Sequence, residues 1–272
     1  MVHIIGANGY IGLNLCNYLE NKGIVFKCYS NIEDEKCKKF DLSNFDEKEL
    51  NFNSGDSVVL LAAISSPDIC QNNYEFAYSI NVIGTSKFID YCINKKCKII
   101  FFSSDTVNGS TNDNINDEYS EVHPFGNYAK MKYEIELKYK NSPLFKTLRL
   151  SYVLSDEDKF CKYLTSCVDN NVEAEVFEGL FRNVIKLETV LESVYCLINK
   201  FDFNDYYLVN VSGNQSLSRK DLAEWYKINI NKNLCYNVIP VPESILTGRP
   251  NIIRTKSLFL EKLLGRQLEN LL

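Results

Sequence analysis

Histidine is nearly missing from this chain of 272 residues, which holds only His3 and His123, and its ten cysteines are scattered without a C-x-x-C pair. Structural zinc needs clustered Cys and His ligands, so no metal is expected. The same scatter argues against a disulfide framework, and most of the cysteines are expected to be reduced thiols packing as small hydrophobes. No apolar run reaches the roughly 20 residues that a membrane-spanning helix needs, and the chain enters a strand-like segment at once instead of a signal peptide. Basic residues are the minority charge: 30 Lys and Arg against 35 Asp and Glu give a formal charge of -5, which repels a phosphate backbone. Neither nucleic acid nor a membrane is therefore expected as a partner, the expected location is the cytoplasm, and a homodimer stays open. Internal repeats and low-complexity linkers are also lacking.

With 45% hydrophobic residues, the chain can bury a large core. Short apolar runs alternate with amphipathic stretches through the first half. Strands are expected at Val2 to Ile5, Val25 to Tyr29, Ser57 to Leu61, Lys98 to Ser103 and Lys146 to Leu150, and helices at Tyr10 to Asn21, Tyr74 to Ile93 and Phe125 to Tyr139. That alternation predicts an α/β fold with a doubly wound parallel sheet, whose ligands bind at the carboxyl ends of the strands. The second half is less regular. Helices are expected at Phe160 to Asn170, Leu187 to Asn199 and Ser218 to Ile228, the last opened by Ser218 as N-cap with Asp221 three residues on, and strands at Glu173 to Phe177 and Tyr206 to Val211. The expected organisation is a dinucleotide-binding domain over 1–155 and a smaller α/β substrate lobe over 156–272, interleaved with the sheet.

Directly after the first strand comes Gly6-Ala7-Asn8-Gly9-Tyr10-Ile11-Gly12, opening into a helix. Glycines permit a tight turn and a close backbone approach to pyrophosphate, and the helix N-terminus presents free N–H groups and a positive dipole end. The strand before and the helix after raise this run above an ordinary βα turn and point to a Rossmann-type site. The second strand ends Cys28-Tyr29-Ser30-Asn31, with no acid at the turn to grip the ribose hydroxyls of NAD. Ser30 and Asn31 can bond a 2′-phosphate and Lys36, Lys38 or Lys39 can neutralise it. NADP(H) is therefore favoured, with NAD(H) kept open because Glu33, Asp34 and Glu35 are close. Asp41, followed by Leu42, either accepts from the adenine amino group or caps the turn near Asn44.

Tyr128 and Lys132 stand four apart, on one face of a helix, while Lys130 is on another. A phenol with an ordinary pKa near 10 is a poor base at neutral pH; a neighbouring ammonium favours its ionised form and can also hold the nicotinamide ribose, so Lys132 serves both tasks. Upstream, the strand ending in Ser103-Ser104-Asp105-Thr106-Val107 brings a hydroxyl to the carboxyl edge of the sheet. Ser104 would bond the reacting oxygen while Tyr128 exchanges its proton, beside a cofactor that exchanges hydride at carbon.

These segments, together with Leu61-Ala62-Ala63 and Asn81-Val82-Ile83-Gly84-Thr85, resemble the extended short-chain dehydrogenases/reductases of the NAD-dependent epimerase/dehydratase superfamily, most closely the dTDP-4-dehydrorhamnose reductase group, over most of the chain. The resemblance implies that Ser104, Tyr128 and Lys132 are catalytic. It also implies that Ala62, Ala63 and Ser103 line the cofactor, and that the C-terminal lobe holds a nucleotide sugar with Ser65, Asp105, Thr106 and Tyr152 near it. Phe181-Arg182-Asn183-Val184 and Gly248-Arg249-Pro250 resemble segments that clamp the nucleotide; a guanidinium suits a diphosphate, and a surface ion pair is the competing role for each arginine. Two departures fall near the sugar: Asn108 stands where an aromatic is frequent and Tyr152 where a Trp is common. Relatives that dehydrate sugars carry Asp then Glu after the active-site hydroxyl, whereas Thr106 follows Asp105 here. NADPH-dependent reduction of a 4-keto-6-deoxy nucleotide sugar, in deoxysugar or surface-polysaccharide synthesis, is the leading expectation. An NAD-retaining epimerase and a non-catalytic dinucleotide-binding subunit are the alternatives.

Overall fold

The computed structural model describes every residue except 34, 112, 113 and 204. In its first half β1 (Val2–Ile5), α1 (Tyr10–Asn21), β2 (Phe26–Ser30), β3 (Cys37–Lys39), β4 (Ser57–Leu60), α2 (Pro67–Asn72), α3 (Tyr74–Tyr78), α4 (Thr85–Asn94), β5 (Lys98–Ser104), α5 (Asn127–Tyr139) and β6 (Phe145–Leu150) follow in turn. After these come β7 (Tyr152–Leu154), α6 (Lys159–Asp169), β8 (Ala174–Phe177), β9 (Phe181–Lys186), α7 (Leu187–Lys200), β10 (Leu208–Val211), β11 (Ser216–Ser218), α8 (Arg219–Asn229), β12 (Tyr236–Ile239), α9 (Glu243–Leu246), β13 (Ile252–Ile253) and α10 (Leu260–Leu264).

The main sheet has seven strands in the order β10-β6-β5-β4-β1-β2-β3, and every neighbouring pair is parallel. Its central strands are buried along their whole length, as parallel strands covered on both faces must be. Alternate residues feed opposite cores. Ile4, Val59 and Ile100 point into a layer with Leu15 and Leu19 of α1 and Val190 and Val194 of α7. Ile5, Val58 and Phe101 point into an aromatic-rich layer with Phe40, Phe52 and Phe88, closed by α4 and α5. Because β10 and α7 belong to this assembly, the second half of the chain completes the sheet as well as building the smaller sheets β11-β9-β13 and β12-β8.

Three expectations need correction. The single helix over Tyr74 to Ile93 is broken by a π-helical turn at Ser79–Gly84. Gly84 packs so closely on the Leu42 carbonyl that a Cβ would lie 2.2 Å from its oxygen, and Asn81 turns inward to serve the backbone at Ile64; such a bulge is the usual way to re-aim residues within a helix. Between the second and third strands of the sequence reading lies an additional one, β3, with no helix connecting it to β2. Finally, β3 aligns Cys37 with Cys28 of β2, their Cα atoms 4.7 Å apart, and these two are joined as a disulfide. Cys70, Cys92, Cys97, Cys161 and Cys167 are buried thiols, as expected. The capping box at α8 forms as read, with Ser218 and Asp221 each bonding the other's backbone N–H.

Candidate active site

The chain leaves β1 at Ile5 and turns into α1. Gly6 takes φ +91°, and a Cβ there would come within 2.7 Å of the Ala62 nitrogen; at Gly12 it would come within 2.3 Å of the Gly6 carbonyl oxygen. Both glycines are demanded by the protein itself. Gly9 is not: its φ is -75°, and the nearest atom to an added Cβ is the Gly6 oxygen at an ordinary 3.4 Å. It sits at the N-cap of α1, where no side chain caps the helix. Backbone N–H groups left open beside a surface kept clear of any Cβ form a cradle that fits a dinucleotide pyrophosphate. Next to it the Tyr10 hydroxyl donates to Ser155 Oγ at 2.6 Å, and Ile11 packs against the core. Ala62 and Ala63 follow β4, and Asn81 staples their loop by accepting from Ile64 N at 2.8 Å and donating to its carbonyl at 3.0 Å.

At the end of β2, Asn8 donates to the Asn31 side chain at 3.0 Å. Asn31 is exposed, but Ser30 is buried with its hydroxyl turned onto the Ile32 carbonyl, so Ser30 shapes the turn. The Lys38 ammonium is committed to the Glu49 carbonyl at 3.0 Å. Asp41 accepts from Ser43 N at 2.8 Å and from Ser43 Oγ at 2.7 Å, which is the turn-capping alternative, and Leu42 is buried. Glu33 and Glu35 are exposed, and Asp34 lies outside the described residues.

Tyr128 and Lys132 share one face of α5. The Lys132 ammonium is buried, donates to the Phe102 carbonyl at 2.8 Å, and lies 4.6 Å from the Phe101 ring centroid and 5.9 Å from that of Tyr128. Burial lowers its pKa to about 8, opposed by the charge of Glu136 and then by Cys70. Burial also pushes the Tyr128 phenol far above its ordinary value, with Cys70 and Asp105 adding to the effect. The phenol therefore holds its proton. Lys130 is exposed on the other face.

Ser104 caps a 3-10 turn at Asp105–Asn108, and its Oγ accepts from Thr106 N at 3.2 Å and Thr106 Oγ1 at 2.9 Å. A cavity of ≈ 250 Å³ opens at this edge of the sheet, lined by Ser104, Asp105, Tyr128, Ser151, Tyr152 and Arg182 among others. The structure thus brings together Ser104, Tyr128, Asp105, Tyr152 and Arg182, with Lys132 behind Tyr128 and Thr106 holding Ser104. Asp105 is buried, and its Oδ2 has no hydrogen-bond partner among the described residues. Burial raises its carboxyl to about 6, with Arg182 pulling the other way. Arg182 is held by backbone carbonyls, Nη1 donating to Phe181 at 2.7 Å and to Asn251 at 3.0 Å, and Nη2 to Pro250. The Tyr152 hydroxyl donates to Asp158 at 2.7 Å. Three residues expected near the nucleotide sugar are not in the lining: Thr106 bonds Ser104 instead, Ser65 is exposed on the loop before α2, and Arg249 pairs with Asp68 of α2 at 2.5 Å, the ion-pair alternative.

Sequence reasoning missed two groups. Arg219 stacks its guanidinium on the rings of Tyr152 and Phe160, 4.5 and 4.7 Å from their centroids. Behind the cavity, Glu136 accepts from Ser103 Oγ and from Arg149, whose Nε lies 3.1 Å from both carboxylate oxygens. Arg149 Nη1 continues to Asn108 at 3.3 Å, and Asn108 donates to Thr255 at 3.1 Å. The signal available was the rhythm of Tyr128, Lys132 and Glu136, each four residues on. Among the described residues no cluster of His, Cys, Asp and Glu can hold a metal ion, and no helix is long and apolar enough to cross a membrane.

A family model, that of the RmlD substrate binding domain, matches residues 1–242. The chain belongs to this family. It is accordingly an extended short-chain dehydrogenase/reductase, a class of NAD(P)-dependent enzymes. Comparison with curated proteins finds no match. Among solved structures, the chain is similar to a UDP-N-acetylglucosamine 4-epimerase from Methanobrevibacter ruminantium M1, in complex with UDP-N-acetylmuramic acid, at 19% identity and TM-score 0.83 over 98% of this chain and 92% of that one. It is similar to a UDP-glucuronic acid 4-epimerase from Bacillus cereus, in complex with UDP-glucuronic acid and NAD, at 17% identity and TM-score 0.80 over 99% and 94%. A UDP-glucose-4-epimerase from Stenotrophomonas maltophila, with bound NAD and formylated UDP-arabinopyranose, is 16% identical with TM-score 0.82 over 99% and 93%. At these identities the likeness speaks for the fold.

Proposed function

We propose that this protein reduces the keto group of a nucleotide-activated sugar, of the 4-keto-6-deoxy type, with NADPH as its preferred hydride donor. The observation that carries the reading is the meeting of Tyr128, backed by Lys132, with Ser104 in one cavity at the carboxyl edge of the sheet. The Gly6–Gly12 cradle would hold the pyrophosphate of the cofactor, whose reduced nicotinamide would supply the hydride that the carbonyl carbon takes up. Tyr128 gives its proton to the carbonyl oxygen, and the nearby Lys132 ammonium lowers the cost of the phenolate left behind. Ser104 accepts both Thr106 donors, which leaves its own O–H, now only 3.4 Å from Asp105 Oδ1, for the substrate oxygen. Thr106 in place of a second acid weighs against dehydration. The preference for NADPH rests on a β2 that ends Ser30-Asn31 without a carboxylate.

Fluorescence titration with NADPH and NADH tests the reading. Tight NADPH binding to an empty site, lost in Gly9→Val, is expected. Tyr128→Phe should keep that binding while losing roughly 10²–10⁴-fold of the turnover of 4-keto-6-deoxy nucleotide sugars. NAD that co-purifies with the protein, with sugar interconversion and no added cofactor, would replace the reductase with the NAD-retaining epimerase to which the similar structures belong by name. Binding without any turnover would leave the non-catalytic alternative.

A further inference from the structure

We infer that Glu136 is a positioning residue for the proton-transfer pair: one carboxylate ties the strand that carries Ser104 to the helix that carries Tyr128 and Lys132, and holds negative charge one turn below the Lys132 ammonium. The inference rests on the reading of Tyr128 and Lys132 as that pair.

Three observations support it. Tyr128, Lys132 and Glu136 follow at i, i+4 and i+8 on α5, so they stack on a single face. Lys132 and Glu136 are buried there, 4% and 6% exposed. The hydrogen bonds to Glu136 come from other strands: Ser103 of β5, directly before Ser104, and Arg149 of β6. Lys132 gives its own hydrogen bond to the Phe102 carbonyl. Glu136 therefore acts on Lys132 through space, in surroundings where burial makes a Coulomb interaction strong. An ion pair serving the fold alone could sit anywhere in the core, and by itself such a pair adds little to stability. This one links the two elements whose alignment decides whether Ser104 and Tyr128 face one oxygen.

The groups around the Lys132 ammonium limit what else could set its charge. Its own helix offers Tyr128 and Glu136, α2 offers the Cys70 thiol, and β5 offers the Phe102 carbonyl and the Phe101 ring. Asp105 faces Tyr128 from the 3-10 turn, and among the described residues Arg149 hydrogen-bonds to Glu136 and Asn108. Among the described residues Glu136 is the one carboxylate that acts directly on Lys132, and its charge opposes the burial that draws the lysine down to about 8.

The test compares wild type with Glu136→Gln and with the double variant Glu136→Gln/Arg149→Met. The double variant removes both buried charges together and guards against a fold lost to an unpaired Arg149. The ammonium of Lys132 is followed by NMR in lysine-labelled protein, with Lys132→Met assigning the signal, and NADPH affinity is measured against pH. The titration midpoint of Lys132 is expected to fall by about one pH unit or more in the single variant and by less, in the same direction, in the double. NADPH affinity should match wild type near about pH 6, where lysine is charged in all three, and begin to weaken at a correspondingly lower pH in the variants. An unmoved Lys132 titration in the folded double variant, or a loss of affinity equal at every pH, would overturn the inference and leave Glu136 a structural residue. The NMR measurement needs no cofactor. Failure of wild type to bind either dinucleotide, with Lys132 still responding to Glu136, would sink the proposed function and not this role.

Discussion

Glycines in one short loop answer to different masters. Gly12 is fixed by packing, since a Cβ there would strike the Gly6 carbonyl at 2.3 Å and the Ala7 Cα at 2.8 Å, both backbone atoms that cannot step aside. Gly9 meets nothing closer than 3.4 Å, so packing within the chain does not exclude a side chain there. The two alanine variants should separate accordingly. Gly12→Ala overpacks the loop at a cost of about 1–3 kcal/mol, lowering Tm by roughly 2–10 °C for a protein of this size. Gly9→Ala should leave Tm within about 2 °C of wild type and weaken dinucleotide binding, because the added methyl intrudes only on the cradle. Thermal melts of the two proteins, with and without NADPH, check both halves; equal destabilisation would mean that Gly9 is also structural. The glycine run was legible in the sequence, but which glycine the packing itself demands was not, because that depends on where Ala62 and Ala7 come to rest.

Elements set by local chemistry were readable, and those set by distant partners were not. The helix α8 announced itself through Ser218 and Asp221, and both halves of that capping box are present. It carries Arg219 on its first turn, against the ring of Tyr152. Ser218→Ala should cost about 1 kcal/mol, within roughly 0.5–2, by leaving the Asp221 N–H without its side-chain acceptor; chemical denaturation measures it, and a cost near zero would mean that water replaces the cap. The helix α5 was found with Tyr128 and Lys132 on one face. In contrast, β3, β7, β11 and β13 have three residues or fewer, too short for any periodicity to show. The π-helical turn at Ser79–Gly84 follows from contacts to Leu42 and Ile64 that nothing near Asn81 in the sequence foretells. The disulfide likewise needed β3 to bring Cys37 beside Cys28. Glu136 and Arg149 lie 13 residues apart on different elements, and only the fold turns them into each other's partners.

Across the whole molecule, two buried groups at opposite ends of the same sheet pull stability in opposite directions with pH. At the start of β1, His3 is stacked on Phe52 at 3.8 Å and shares a 3.0 Å contact with Asp56. Burial holds its pKa below the ordinary 6.5 in spite of Asp56. A histidine depressed in the folded state takes up its proton more readily when unfolded, so its contribution is complete above about pH 6.5 and declines as the pH falls below that. At the other end, past β5, burial raises Asp105 from 3.8 to about 6. Here the folded protein holds the proton more firmly, so Asp105 costs stability in full above about pH 6, and the cost fades as the pH drops toward 3.8. Asp105→Asn should therefore raise Tm at pH 7 to 8 by a few degrees, on the order of 1–3 kcal/mol, and the gain should vanish near about pH 4. His3→Gln should instead flatten the loss of stability between about pH 6.5 and pH 5. Melting curves of the three proteins from about pH 4 to 8 decide the matter, and a gain from Asp105→Asn that does not change with pH would show that packing, not charge, is responsible. A buried carboxyl with one oxygen unpartnered, lining the cavity beside Ser104 and Tyr128, is a cost that the fold alone has no reason to bear. Loss of activity together with the gain in Tm would mark it as one borne for the substrate.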